Sequence, residues 1–171
     1  MLRTIFVPLD GSPIAARAVH YAAALARATG ARLLLHLAAW CPSDPYAAAA
    51  TAHRAPGEAR RAYLDSLVAA LAADGVVAEA ALAPEAAQGV VDAVRRRRPD
   101  LVVMASSPGP WRGHDDGVAE QVLRALAVPV LLVPATSERP WLLEQVLDIG
   151  WRPAATPASV GLGEGAGTVH D

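Results

Sequence analysis

Hydrophobic residues fall along the chain in short runs that alternate with longer amphipathic stretches. Five short runs have the length and apolar content of buried strands: Thr4–Leu9, Arg32–Ala39, Val76–Leu82, Asp100–Ser106 and Pro129–Val133. Four stretches between them carry apolar residues at helical spacing: Ser12–Gly30, Glu58–Ala73, Pro84–Arg98 and Asp116–Ala127. Strands that alternate with helices at these distances predict parallel βαβ units, and therefore an α/β fold with a doubly wound, Rossmann-like five-stranded parallel sheet.

Local signals mark where the first helix begins and ends. Ser12 suits the N-cap, Pro13 suits the first helical position, and Gly30 supplies a stop. Helical spacing predicts the buried face of each of the first three helices: Ile14, Ala18, Tyr21, Ala22 and Leu25; then Tyr63, Leu67, Val68 and Leu71; then Val90, Val91 and Val94. The alanines of the third strand give it little β propensity.

Four consecutive arginines, Arg95 to Arg98, stand in the last turn of the third helix. One interpretation is a patch for phosphate or nucleic acid. The other is a solvated helix terminus whose positive charges complement the helix dipole. The second interpretation is favoured because it needs no ligand.

The length of 171 residues is that of about one domain. The alternating pattern occupies residues 1–136, and residues 137–171 form a C-terminal tail. A short amphipathic helix is expected around Trp141, followed by a flexible Pro-, Ala-, Gly- and Thr-rich segment from Arg152. The alternating glycines near its end lack the preceding strand and following helix that a nucleotide fingerprint requires.

Composition narrows the function classes. Hydrophobic residues make up 53% and charged residues 19%, and 15 basic residues against 17 acidic ones give a net charge of −2. No basic footprint for nucleic acid is present. Cys41 is the sole cysteine, so an internal disulfide is excluded. No segment approaches the roughly 20 apolar residues of a membrane span, and no signal-peptide core follows Met1, so we expect a cytoplasmic protein without membrane contact.

Two segments are expected at the edge of the sheet where ligands bind in doubly wound folds. Ligand crevices in such folds lie outside the carboxyl ends of the strands, where the strand order reverses. Asp10 to Ser12 follows strand one, and Ser106 to His114 follows strand four. The sequence therefore predicts any binding site at these two segments.

Four stretches of the chain resemble the universal stress protein family: VPLDGS, LLLHLA, DLVVMAS and GVAEQVLRALAVPVLLVP. The resemblance covers Arg3 to about Pro134. It implies the strand order 3-2-1-4-5, a dimer and a role in bacterial stress survival. The resemblance does not decide whether this chain binds nucleotide, since some members of the family bind ATP and others do not.

The resemblance implies a nucleotide crevice whose phosphate loop is degraded here. Ala105 and Pro108 stand where ATP-binding members have glycine, Asp116 and Gly117 stand where they have glycine and a hydroxyl residue, and the loop is two residues short. We therefore expect no bound cofactor; the alternative is ATP or another adenine nucleotide. The candidate nucleotide-contacting residues are Asp10, Leu37, Met104, Ser107, Gly109, Gly113, Gly117 and Val118.

Several of these candidates have a structural alternative. Asp10 could close the turn into helix one, and Leu37 and Met104 could belong to the core. In the loop, Ser107, Gly109 and Gly113 could still offer hydroxyl and backbone donors to a smaller ligand.

A catalytic or metal site is the remaining possibility. His114, Asp115 and Asp116 cluster a base with two carboxylates, but no second histidine stands at the spacing that would complete a ligand set. The sequence also has no phosphate-loop lysine motif and no serine nucleophile elbow. We therefore predict no catalytic residues, no metal and no enzymatic activity.

The expected function is a non-enzymatic stress-response protein with a degraded nucleotide crevice, which acts through contacts with an unidentified protein. The alternative is a nucleotide-binding member of the family, including one that hydrolyses ATP slowly. In the implied strand order, Val130, Leu131, Leu132 and Val133 lie on an open, apolar edge without protecting charges. We expect this edge to pair with its own copy in a homodimer, unless the helix around Trp141 covers it.

Overall fold

The computed structural model describes residues 1–38, 57–83, 87–106 and 118–134. Nine elements alternate along these ranges: β1 (Thr4–Leu9), α1 (Pro13–Thr29), β2 (Arg32–Ala38), α2 (Gly57–Ala73), β3 (Ala78–Ala83), α3 (Ala87–Arg97), β4 (Leu101–Ser106), α4 (Val118–Ala125) and β5 (Val130–Pro134). The strands form one parallel sheet in the order β3-β2-β1-β4-β5. The predicted fold class and strand order are confirmed. The predicted tail of residues 137–171 lies outside the described residues.

Each face of the sheet carries its own hydrophobic cluster because successive side chains of a strand point to opposite faces. α1 and α2 cover one face, where Ile5, Val7 and Leu35 are buried. α3 and α4 cover the other face, where Phe6 and Val102 are buried. The central strands are therefore apolar at most positions on both faces, as a parallel sheet covered on both sides requires, with Thr4 and His36 as buried polar exceptions.

The first helix has the predicted ends. Ser12 is the N-cap, and its Oγ accepts a hydrogen bond from the Ala15 N–H at 3.1 Å. The helix ends at Gly30, whose φ of 74° is left-handed and whose N–H donates to the Ala26 carbonyl at 2.8 Å. Glycine suits this position because it reaches positive φ without steric cost.

Several element bounds and buried faces differ from the predictions, and two of these differences have a clear structural basis. β3 starts at Ala78 rather than Val76, because Val76 still belongs to the turn that leaves α2: its N–H donates to the Leu71 carbonyl at 2.9 Å. The buried stripe of α2 is Leu64, Leu67 and Leu71, whereas Tyr63 and Val68 are half-buried. α2 is oriented so that Leu64 points into the core, and the ring of Tyr63 lies at the edge of the buried surface.

Asp100 fastens the start of β1 to the start of β4. Its Oδ2 accepts hydrogen bonds from the Arg3 N–H at 2.8 Å and the Thr4 N–H at 2.9 Å, and its own N–H donates to the Thr4 carbonyl at 2.9 Å. The two backbone donors hold the pKa of the Asp100 carboxyl below its usual range, because they favour the ionised form. The amino-terminal end of the sheet centre is thus tied by a side chain.

Candidate functional site

The candidate crevice lies between β1 and β4, at the point where the strand order reverses. The ladder between these strands joins only Ile5 to Leu101 and Phe6 to Val102, whereas the ladder between β1 and β2 runs over all six residues of β1. The strands β1 and β4 are therefore paired near their amino-terminal ends and are free of each other toward their carboxyl ends. Asp10 and Ser106 stand at these carboxyl ends. This is the place where doubly wound folds bind ligands.

Asp10 shapes the turn from β1 into α1. Its Oδ1 accepts a hydrogen bond from the Ser12 N–H at 2.8 Å, and the intervening Gly11 has a left-handed φ of 78°. This is the backbone turn that an aspartate closes two residues ahead of itself. Asp10 is exposed, and its carboxylate closes the turn into α1, which is the structural role that the sequence offered as the alternative to nucleotide binding.

Leu37 and Met104 lie in the hydrophobic core, on opposite faces of the sheet. Leu37 is 1% exposed in the cluster under α1 and α2, and Met104 is 5% exposed in the cluster under α3 and α4. A nucleotide base could reach these side chains only if the residues packed on them moved aside. Their assignment as nucleotide contacts remains a prediction.

The remaining candidates follow β4. Ser107, Gly109, Gly113 and Gly117 lie outside the described residues, and Val118 is the first residue of α4. Ser106, the last residue of β4, donates its hydroxyl to the Val133 carbonyl at 3.4 Å. The end of β4 is thereby joined to β5 by a side chain as well as by the ladder.

Tyr63, which lies close enough to Asp10 to sense its charge, and Arg60 are polar groups of α2 that sequence reasoning did not select. The Tyr63 hydroxyl is buried with no hydrogen-bond partner among the described residues, and burial, together with the negative charge of Asp10, raises its pKa to about 12. One helical turn earlier, Nε and Nη2 of Arg60 are also buried, with no partner in the described ranges. Helical spacing predicted Tyr63 on the inner face of α2. Its hydroxyl could therefore have indicated from the sequence that this face carries a polar group.

A metal centre has no support within the ranges that the structure describes. No three histidine, cysteine, aspartate or glutamate side chains there are grouped so that they could hold an ion. The cluster of His114, Asp115 and Asp116 lies outside those ranges. In the same ranges, no helix is long and apolar enough to cross a membrane.

Comparison with known proteins agrees with the fold and with the sequence resemblance. The family model described as the universal stress protein family matches residues 1–134. The chain belongs to this family. No curated relative matches this universal stress protein.

Solved structures resemble this universal stress protein over about four-fifths of its length. A universal stress protein family member from Burkholderia pseudomallei is 29% identical, with a TM-score of 0.56 over 78% of this chain and 96% of that chain. A universal stress protein in complex with cAMP is 23% identical, with a TM-score of 0.58 over 79% of this chain and 98% of the other. The Archaeoglobus fulgidus protein in complex with dAMP is 19% identical, with a TM-score of 0.54 over 77% and 97%. The second and third likenesses support the fold alone.

Proposed function

We propose that this universal stress protein is a non-enzymatic stress-response protein that acts through protein contacts and whose nucleotide crevice is degraded. The observation that carries the proposal is the hydrogen bond of 2.8 Å between Asp10 Oδ1 and the Ser12 N–H. It engages the strand-one carboxylate in closing a turn. The two apolar candidates, Leu37 and Met104, are likewise engaged in the core.

The loop after β4 supplies the second support, from its sequence. Pro108 and Pro110 have no N–H to donate, and the Cβ of Ala105 occupies space that glycine leaves open. Each charge-assisted hydrogen bond lost to a phosphate is worth roughly 1.5–3 kcal/mol, so two losses weaken binding by about 10²- to 10⁴-fold. Asp115 and Asp116 add negative charge just before α4, where a triphosphate would need the positive end of the helix dipole.

Titration calorimetry with Mg-ATP tests the proposal. We expect no binding in the low micromolar range. The variant Ala105→Gly/Pro108→Gly restores the two glycines of the family motif and should bind ATP more tightly than the parent, whereas Ala72→Gly on the exposed side of α2 should not. A low-micromolar dissociation constant for the unmodified protein would show that the loop is competent.

The second candidate function is that of a nucleotide-binding member, including one that turns ATP over slowly. Two observations favour it: structural neighbours have been solved with cAMP and dAMP, and Tyr63, on which the charge of Asp10 acts, holds a buried hydroxyl with no partner in the described part of the chain. Denaturing freshly purified protein and identifying any released adenine nucleotide distinguishes the two functions. Release of stoichiometric nucleotide supports the second function, and ADP formation from added ATP would give it an enzymatic role.

We also propose that the protein is a cytoplasmic homodimer joined through β5. The apolar side chains of β5 are already packed: Val130, Leu131 and Leu132 are half-buried and Val133 is buried. Among the described strands, β5 lies at the edge of the sheet, and its outer backbone groups have no strand neighbour there. Antiparallel pairing with a second copy about a two-fold axis would satisfy these groups.

Sedimentation tests the homodimer at tens of micromolar protein. Leu131→Lys should dissociate it, whereas Leu123→Lys, at an exposed leucine of α4, should not. Circular dichroism verifies that both variants are folded. A monomeric parent protein would refute the dimer, and fractionation of cells that express the chain checks its location.

A further inference from the structure

A cavity of about 240 Å³ opens on the face of the sheet that carries α3 and α4, beside the edge strand β3. From the sheet it is lined by His36, Ala81 and Glu79, and from α3 by Ala93, Arg96 and Arg97. The register pairs His36 with Pro8 of β1 on one side and with Ala81 of β3 on the other, so only a methyl group stands beside the imidazole on the β3 side. A larger residue at position 81 would fill the space, and alanine leaves it open.

His36 is a buried polar residue with an unused hydrogen-bonding atom. It is 8% exposed, and its Nε2 has no hydrogen-bond partner in the part of the chain that the structure describes. Its ring lies 5.3 Å from that of Phe6, at an interplanar angle of 37°. Burial lowers the pKa of His36, and the positive charges of Arg96 and Arg97 lower it further. The imidazole is therefore neutral at pH 7, and an unsatisfied atom of this kind is unfavourable until a ligand engages it.

The four arginines at the end of α3 have different partners. Arg95 donates a hydrogen bond of 3.4 Å to the carbonyl of Ala125, the last residue of α4. Arg97 lies 3.7 Å from a carboxylate oxygen of Glu79. Arg98 has a left-handed φ of 46°, and its N–H ends the helix on the Val94 carbonyl at 2.8 Å. Arg96 lines the cavity and pairs with no acidic residue in the described part of the chain.

The charges around the cavity favour a single negative charge on the ligand. Glu79 is shared between Arg97 and Arg32, whose guanidinium lies 3.5 Å from it. Arg96 is the guanidinium left without an acidic partner among these groups. One unpaired guanidinium matches a monoanion such as a carboxylate, whereas a dianionic phosphate would also meet repulsion from the Glu79 carboxylate.

We propose that this cavity binds a small organic monocarboxylate, with the carboxylate on Arg96, a hydrogen bond to Nε2 of His36, and the apolar part of the ligand between Ala81, Ala93 and the ring of Phe6. In its Nε2–H tautomer the neutral imidazole donates that bond. An engineered cavity of about 150 Å³ in another protein holds benzene, so about 240 Å³ suits a benzoate-sized molecule. Of the four consecutive arginines, Arg96 would then be the one that binds the ligand.

This site is separate from the nucleotide crevice. The crevice lies at the carboxyl ends of β1 and β4, whereas the cavity lies between β2, β3 and the last turns of α3. The inference therefore does not depend on whether nucleotide binds.

Titration of the full chain with benzoate tests the site, followed by calorimetry and by the NMR resonances of the His36 ring. Benzamide has the same shape without the charge and serves as the ligand control. Arg96→Gln removes the unpaired guanidinium, and Arg95→Gln is its matched control, since Arg95 is the neighbouring arginine that contacts α4 instead. Ala81→Leu fills the cavity and leaves every charge in place.

We expect saturable benzoate binding with a dissociation constant in roughly the millimolar range, as suits so small a ligand, and about tenfold weaker binding of benzamide. Arg96→Gln should weaken benzoate binding by about tenfold or more, Arg95→Gln by less than about twofold, and Ala81→Leu should abolish it. Thermal unfolding verifies that each variant is folded. No saturation at about 10 mM benzoate, or equal losses in Arg96→Gln and Arg95→Gln, would overturn the proposal.

Discussion

Replacing Tyr63 with phenylalanine is expected to stabilise the protein. The Tyr63 hydroxyl on α2 is buried without a hydrogen-bond partner among the described residues, and the negative charge of Asp10 acts on it. Tyr63→Phe removes the hydroxyl and keeps the ring that packs against the hydrophobic cluster under α1 and α2.

The expected gain follows from the cost of desolvation. Burying a hydroxyl without a partner costs about 1–3 kcal/mol in proteins. The phenylalanine variant escapes this cost but loses the dispersion contacts of one oxygen atom, which are worth a few tenths of a kcal/mol. The free energy of unfolding should therefore rise by about 1 kcal/mol, which raises Tm by roughly 2–4 °C in a domain of this size.

Urea denaturation at neutral pH measures the change, and Asp10→Asn is the companion variant. Asparagine keeps an oxygen that can accept the Ser12 N–H, so the turn into α1 persists while the charge is lost. The ultraviolet titration of the Tyr63 phenol, whose pKa is about 12, should shift to lower pH in Asp10→Asn. Burial is the larger cause of the raised pKa, so most of the shift should remain.

The opposite result would refute the reasoning. If Tyr63→Phe lowered the free energy of unfolding by about 1 kcal/mol or more, the hydroxyl would have to form a net favourable hydrogen bond. In that case the double variant with Asp10→Asn identifies the partner: non-additive losses would point to the Asp10 carboxylate, and additive losses to another group.

Three further outcomes are expected. Ser12→Ala should lower the free energy of unfolding by about 1 kcal/mol in a urea titration, because the N-cap bond is lost; an unchanged midpoint would contradict this. Gly30→Ala should cost about 1–2 kcal/mol through its left-handed φ alone, since no atom lies within 4 Å of the added Cβ, whereas Gly57→Ala should be neutral or stabilising. Burial lowers the pKa values of His20 and His36, so the unfolded chain takes up protons first and stability should fall as pH drops below about 6.5, until the folded-state pKa values are passed. A profile that stays flat between about pH 7.5 and 5, or a slope unchanged when both histidines are replaced by glutamine, would exclude this contribution.

The sequence predicted the fold well because its local and long-range signals agree. Ser12 and Gly30 determine the two ends of α1, Ser12 through its capping hydroxyl and Gly30 through its left-handed backbone, and both predicted ends were confirmed. Even the alanine-rich β3 was predicted, since a strand is needed between two helices, although its start at Ala78 depends on how the chain leaves α2. The rotation of α2 that buries Leu64 was not predictable, because Tyr63 and Leu64 both fit an apolar stripe until the sheet beneath them is known.

The candidate sites were less accessible to sequence reasoning. Asp10 was selected together with its structural alternative, and only the fold shows that its carboxylate closes the turn. His36 and Arg96 are sixty residues apart and belong to no common motif. Their proximity comes from the crossover that brings α3 back over β2, so the cavity between them is a property of the tertiary structure alone.

The tie between Asp100 and the start of β1 joins two parts of the chain that are synthesised far apart in time. Its hydrogen bonds to Arg3 and Thr4 span 97 and 96 residues, whereas β1 meets β2 after only 28 residues. At a ribosomal rate of roughly 5–20 residues per second, several seconds separate the emergence of β2 from that of β4. During that interval the growing chain can close only the part of the α1 and α2 face that β1, β2 and β3 supply, because the same cluster also contains Val103 of β4 and Val133 of β5. The α3 and α4 face is completed only after α4 has been synthesised, whereas every residue that lines the cavity at His36 precedes β4 in the chain.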